Sequence, residues 1–404
     1  MKTISILSIL FLFVATAGCQ NESLKEKTKR IHETALTLDS HTDTPLRFTR
    51  DNFSIADFHN GRETHSSLDL PRMEQGGLDA VFIAAFISQK KRDEEGLEHA
   101  NKQTHTIIDS IYAQVNANSK KVSVAKTAED AYINEANNKK SFYIGIENGY
   151  ALGGDVNQVN TFYNRGVRYI TLCHTKNNNL CDSSNDTTEH NGLSNFGKDV
   201  VKRMNKLGML IDVSHISDKS FADVLELSTA PVIASHSNAR AVCDHVRNMT
   251  DEMLVKLAEN GGVIQVCLLS DYVRPPVKQP KRDSAFDALR EKYNNFKDLS
   301  EEVYAQAVKE WYETRRKYPQ ILATVSDLVD HIDHIVNIAG IDHVGIGSDF
   351  DGGGALKDCF DVSEMQNITK ELIVRGYSEE DIIKIWGGNF MRVFKEVEAH
   401  KIRK

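Results

Sequence analysis

Phe142-Tyr143-Ile144-Gly145-Ile146-Glu147 is a short apolar run that ends directly in a carboxylate. Five other runs share this design. Leu36-Thr37-Leu38-Asp39-Ser40 leads into His41 and Asp43, and Tyr169-Ile170-Thr171-Leu172-Cys173 leads into His174. Met209-Leu210-Ile211-Asp212-Val213-Ser214 ends in His215, and Pro231-Val232-Ile233-Ala234-Ser235 ends in His236. Val344-Gly345-Ile346-Gly347-Ser348 ends in Asp349. Runs of this kind read as strands buried on both faces, as in parallel sheets. Parallel strands that carry reactive side chains at the same end can bring them to one point in space.

Two more apolar runs, Ala80-Val81-Phe82-Ile83-Ala84-Ala85-Phe86 and Gly262-Val263-Ile264-Gln265-Val266-Cys267, bring the strands to eight. Helical patterns separate nearly all of them: residues 93–116, 195–207 stopped by Gly208, 218–227, 250–258 capped by Thr250, and 326–338 capped by Ser326. Residues 378–397 form a closing helix interrupted by Trp386-Gly387-Gly388-Asn389-Phe390. Eight strands alternating with helices predict a (β/α)8 barrel of the TIM type. A doubly wound open sheet is the alternative, but its ligands gather at one switch point and not at six strand ends. About fifty residues, opened by Pro275-Pro276, separate the seventh strand from its helix. This insertion, about 275–324, reads as a helical excursion on the barrel rim, or as a lid or oligomer contact at the active-site face.

Residues 1–19 stand apart from the fold. Lys2, an apolar stretch over 4–14 too short to span a bilayer, and small residues before Cys19 resemble a bacterial lipoprotein signal. Cys19 would then be acylated and become the new N-terminus, the chain would be exported to the cell envelope, and 20–404 would form a single barrel domain. Thr16 departs from the residue usual in such signals. Forty per cent hydrophobic content supports a substantial core, and a net charge of −8 without a basic stripe argues against nucleic acid as a partner. Cys173, Cys181, Cys243, Cys267 and Cys359 show no metal-type pairing and no disulfide-dense spacing.

His41 and Asp43 alternate along a strand end and so point to one side. With Glu147, His215 and His236 they offer five nitrogen and oxygen ligands and no thiolate, a set suited to zinc. Five ligands exceed what one catalytic zinc uses, since it must leave a position open for water. Two ions sharing Glu147, roughly 3.5–4 Å apart, fit better and would hold a hydroxide between them. His174 and Asp349 could each be a further ligand. Asp349 could also shape a turn with Gly352-Gly353-Gly354, where no Lys-Ser/Thr supports a phosphate loop. Arg247, on no strand end, reads as a surface residue.

These stretches resemble the renal or membrane dipeptidase family, zinc metallopeptidases on amidohydrolase-type barrels. The resemblance runs in order through Asp39-Ser40-His41-Thr42-Asp43-Thr44-Pro45, Gly145-Ile146-Glu147-Asn148-Gly149, Thr171-Leu172-Cys173-His174 and Ile211-Asp212-Val213-Ser214-His215. It continues through residues 231–237, Arg247-Asn248, residues 343–352 and Gly387-Gly388-Asn389-Phe390. It implies that His41, Asp43 and Glu147 hold one zinc and that Glu147, His215 and His236 hold the other. His174 would contact the substrate oxyanion, Asp349 would shuttle the proton of the attacking water, and Arg247 would grip the free carboxylate of a dipeptide. D-residues on the carboxyl side would be tolerated, and a homodimer is possible. Thr42 replaces the Asn usual between the first two ligands, Cys173 replaces a frequent Thr, and the insertion is longer than in animal members. The rival readings are a cyclic amide, lactone or β-lactam hydrolase on the same metals, and a non-catalytic, lipid-anchored solute-binding protein.

Overall fold

The computed structural model of the protein describes residues 22–49, 53–296 and 299–401. The expected signal peptide and its Cys19 lie outside the described residues. Among the described residues nine strands form: β1 (Leu38–Thr42), β2 (Ala80–Phe86), β3 (Val122–Val124), β4 (Lys140–Glu147), β5 (Val167–Thr171), β6 (Leu210–Asp212), β7 (Ile233–Ala234), β8 (Val263–Val266) and β9 (Val344–Ile346). Eight of them pair in parallel in the order β1-β2-β4-β5-β6-β7-β8-β9. The ring closes where Asp349 N donates to His41 O at 3.0 Å and Asp43 N donates to Phe350 O at 2.8 Å. The architecture is a TIM-type (β/α)8 barrel, and the sequential strand order rules out a doubly wound sheet. The short β3 is the strand the apolar pattern missed. It pairs with β4 over Lys140–Phe142, and β5 takes over from Ile144.

Aromatic side chains fill the barrel floor. Phe82 stacks on Tyr143 and Tyr169 at 4.7 and 5.0 Å between ring centroids, and Phe390 and Phe394 of the last helix close the bottom. Polar strand ends therefore have only the opposite mouth to occupy. Gly145 makes this packing possible, because a Cβ there would lie 2.3 Å from the Tyr169 ring.

The helices follow the expected pattern closely. Gly208 ends Asn195–Leu207 at φ 67°, where a left-handed backbone favours glycine. The helix expected over 326–338 spans Val325–Ala339, and its cap is Thr324 rather than Ser326, in a reciprocal capping box with Asp327. The closing helix is interrupted by a wide π-helical turn at Lys384–Gly388, which seats Trp386 in the core. Between β8 and Val325–Ala339 the chain makes helices Pro280–Lys292 and Glu301–Lys317. They carry a small core of their own, Phe286, Leu289, Tyr293 and Ala307, with Trp311 against Phe286. The five described cysteines are buried free thiols.

Candidate active site

At the C-terminal mouth of the barrel, Glu147 stands between histidines from four other strands. Its Oε1 lies 3.1 Å from His215 Nε2, 3.5 Å from His236 Nε2 and 3.9 Å from His174 Nε2. Its Oε2 lies 3.6 Å from His41 Nε2, which is 3.9 Å from Asp43 Oδ1. His215 Nε2 and His236 Nε2 are 2.8 Å apart. Ligand atoms at about 2.0–2.1 Å from one tetrahedral ion stand about 3.3 Å from each other, close to these spacings. His41 Nε2, Asp43 Oδ1 and Glu147 Oε2 are also buried without a hydrogen-bond partner. Several buried lone pairs left bare on one centre are costly unless a cation satisfies them. The residues fit a metal site. By proximity alone three overlapping groups form: His41, Glu147 and His236; Glu147, His174 and His215; and His41, Asp43 and Asp349.

Buried residues within the strands hold these ligands still. His41 Nδ1 lies 2.7 Å from the Tyr169 hydroxyl, so the tautomer protonated on Nδ1 donates to Tyr169 and leaves the Nε2 lone pair facing Glu147. Ser235 Oγ contacts His236 Nδ1 at 2.8 Å and donates to Asp212 at 2.6 Å. Asp212 also accepts from the amides of Ser214 and Ser235. Asp39 repeats this arrangement for the β1–β9 seam, accepting from the amides of His41 and Ser348 and from the Ser348 hydroxyl. Tyr169 and Ser235 were not singled out in the sequence. The legible signal was a charged residue inside a buried strand, Asp39 or Asp212, since such a carboxylate requires several donors.

Burial raises the carboxylates and lowers the histidines. Glu147 is pushed up to about 8, by burial first. Asp43 and Asp349 also rise, through burial and then through the neighbouring charges, chiefly Glu147 for Asp43 and Asp43 for Asp349. His174 falls to about 3, through burial and then Arg247, and His215 and His236 fall well below their usual range for the same leading reason. A carboxyl group raised in the folded state contributes stability that is lost as pH rises from its unfolded value, near 4.5 for Glu147, through about 8. The depressed histidines act in the opposite sense, contributing above about 6.5 and losing that contribution as pH falls. Metal-free protein is thus expected to lose stability between about pH 6.5 and 8, where the histidines no longer offset the carboxyls. Saturating zinc should remove that alkaline loss, since cation binding displaces the protons. A midpoint of the chelated protein that stays flat or rises from pH 6.5 to 8.5 in calorimetry would contradict this.

The remaining expected residues lie around the same centre. Arg247 is buried, correcting its reading as a surface residue. Its Nη2 donates to His236 O at 3.1 Å, its guanidinium lies 5.4 Å from the Tyr272 ring, and its Nε has no partner. Asp349 does two things. Its carbonyl accepts from the amides of Gly352, Gly353 and Gly354, shaping the turn, while its carboxylate stays buried near Asp43. A Cβ at Gly352 would lie 2.1 Å from Asp349 Oδ1 and 2.6 Å from Asp43 Oδ2, so close approach and not phosphate binding explains that glycine. His174 is half-buried at the lip, edge-on to Phe86 at 4.8 Å.

Known proteins are similar to this chain in sequence and in fold. The chain is 32% identical to a dipeptidase of Claviceps purpurea over 86% of its own length and 73% of that protein. It matches the crystal structure of the probable dipeptidase PvdM of Pseudomonas aeruginosa at TM-score 0.80 and 32% identity, covering 93% of this chain and 99% of that one. A metallopeptidase of Rhodobacter sphaeroides, crystallised with a phosphinate mimic of L-Ala-D-Ala, shares the fold at TM-score 0.71 and 23% identity, over 90% and 99% of the two chains. Residues 25–404 match the family described as membrane dipeptidase, peptidase family M19, and the chain belongs to it as a metallodipeptidase.

Proposed function

We propose that this enzyme hydrolyses dipeptides with two zinc ions bridged by Glu147, and that it tolerates a D-residue at the carboxyl end. The observation that carries this reading is the two-sidedness of Glu147, whose oxygens face His215 and His236 on one side and His41 on the other. His41 and Asp43 would complete one site, and His215 and His236 the other. When bound, the pair of metals supplies Lewis acidity and a water that titrates near neutrality.

The chain's own residues then divide the work. Arg247 holds the substrate's terminal carboxylate with its planar fork, whose Nε is unused within the protein. A two-residue substrate reaches from that fork to the centre, which selects short peptides with a free C-terminus. His174, neutral at working pH because its pKa lies near 3, donates a hydrogen bond to the carbonyl oxygen as negative charge develops there. Asp349 takes the proton of the attacking water and passes it to the leaving amine.

Metal analysis of purified protein together with hydrolysis of L-Ala-D-Ala tests this directly. Two zinc per chain and turnover are expected. In the same assay Arg247→Ala should lower kcat/KM on free dipeptides by about 10- to 100-fold, the worth of a charge-assisted hydrogen bond, and leave an uncharged lactone little affected. Little loss on either substrate would favour a cyclic amide or lactone as the natural substrate. We also propose export and anchoring through acylated Cys19. Among the described residues no helix is long and apolar enough to cross a membrane. Mass spectrometry of the mature N-terminus decides: an unacylated chain, or one not cleaved before Cys19, refutes the anchor.

A further inference from the structure

A cavity of about 640 Å³ lies between the insertion and the β1 and β9 loops. Its wall is unusually basic: Arg62, Arg274, Arg282, Arg315, Arg316 and Lys357 all line it. Two of these cations have acidic partners, Glu364 for Arg62 at 3.1 Å and Asp327 for Arg274 at 3.7 Å. Arg282, Arg315, Arg316 and Lys357 form no ion pair among the described residues, and Arg282 Nε is buried without a hydrogen-bond acceptor. The field is strong enough to act on a neighbour. His65, on the same wall, is held down to about 4 by burial and then by Arg315, Arg316 and Arg47.

This cavity adjoins the metal centre. Gly353 lines it, and a Cβ there would lie 4.0 Å from Asp349 Oδ2. Arg274 follows the short helix Ser270–Val273, whose Tyr272 packs against Arg247. The basic chamber and the site thus share the turn that follows Asp349, through Gly353. Arg282 is half-buried and Arg315, Arg316 and Lys357 are exposed, so four cations without acidic partners converge on one cavity and favour an anion in it through a field that salt can screen.

We propose that this chamber is a specificity pocket for a side-chain carboxylate, and that the preferred substrates are dipeptides containing aspartate or glutamate. The inference rests on the dipeptidase reading and adds the substrate class. The two helices of the insertion supply Arg282, Arg315 and Arg316, three of the four cations without acidic partners, which gives the long loop a role in selection.

The test compares kcat/KM of the zinc-loaded enzyme on Ala-Ala, Ala-Glu, Glu-Ala and Ala-Lys. At least one glutamyl peptide should exceed Ala-Ala by about tenfold or more, and Ala-Lys should fall below it. Raising ionic strength should shrink the glutamyl advantage. The double variant Arg315→Gln/Arg316→Gln, and separately Arg282→Gln, should bring the glutamyl-to-alanyl ratio towards one. Lys309→Gln, an exposed charge change on the same insertion, should keep it. A wild-type ratio near one, or a ratio unmoved in both cavity variants, overturns the pocket while leaving the dipeptidase standing. If no dipeptide is cleaved, the dipeptidase reading itself falls, and the pocket with it.

Discussion

Glu147→Gln is expected to abolish stoichiometric zinc binding and to lower kcat/KM on L-Ala-D-Ala by at least ~10³-fold. The scale follows from comparison, since loss of an outer-shell partner alone typically costs about 10–100-fold. Glu147 presents one oxygen to His215 and the other to His41, so its neutral amide weakens both proposed sites at once. Gln keeps the volume and offers one carbonyl oxygen, which separates charge from shape. A second readout has the opposite sign. In metal-free wild type, ionising Glu147 in its buried setting opposes folding above pH about 8, at a cost on the order of a few kcal/mol. Metal-free Glu147→Gln should therefore melt at a higher temperature than metal-free wild type at pH 8.5, although the loaded wild type remains the most stable of all. Atomic absorption and a thermal melt suffice. Two tightly held zinc ions in the variant would exclude the bridge.

Why so much of this site could be read from the sequence is itself a physical matter. In a parallel barrel, every strand is buried on both faces, so its sequence is apolar until it emerges at the mouth. A polar residue at that point is conspicuous, and His41, Glu147, His215 and His236 were legible for this reason. Asp349 was also legible as a strand ending, although its double use in turn and site was not separable. Arg247 was not legible from pattern. It sits in a loop after β7, and burial of a loop arginine depends on what packs over it, here Tyr272 from a segment 25 positions later. Tyr169 was hidden for the converse reason. An aromatic residue in a strand reads as core, and only the three-dimensional gap above Gly145 lets its hydroxyl reach His41. The strand β3 escaped because three residues, Val122-Ser123-Val124, are too short to show periodicity. The chamber beside the site is likewise invisible in sequence, since its arginines come from three segments whose scattered charges resemble a solvated surface.

Asp349→Asn is expected to lower kcat by ~10²–10⁴-fold, the range for loss of a positioned general acid–base group, while zinc content and KM change little. The prediction depends on separating the two uses of this residue. The turn is held by backbone atoms: the Asp349 carbonyl accepts three glycine amides and its amide donates to His41 O. Asn leaves all four bonds in place. Asn also tolerates the left-handed backbone, φ 59°, that Asp349 adopts. What it removes is the ability to take a proton from water and return it to an amine. A ligand role makes a different forecast. Asp349 lies within reach of His41 and Asp43, so it could instead be part of a metal site. If so, the same substitution would lower zinc occupancy in proportion to activity, and added zinc would restore turnover. Full occupancy with kcat depressed fits only the proton shuttle, and an unchanged kcat removes Asp349 from the chemistry altogether. Because Asp349 is the proposed shuttle nearest the basic chamber, the residual rate of Asp349→Asn on glutamyl and alanyl dipeptides should keep the wild-type ratio. Selection by the arginines and proton transfer by the aspartate are then separable within one active site.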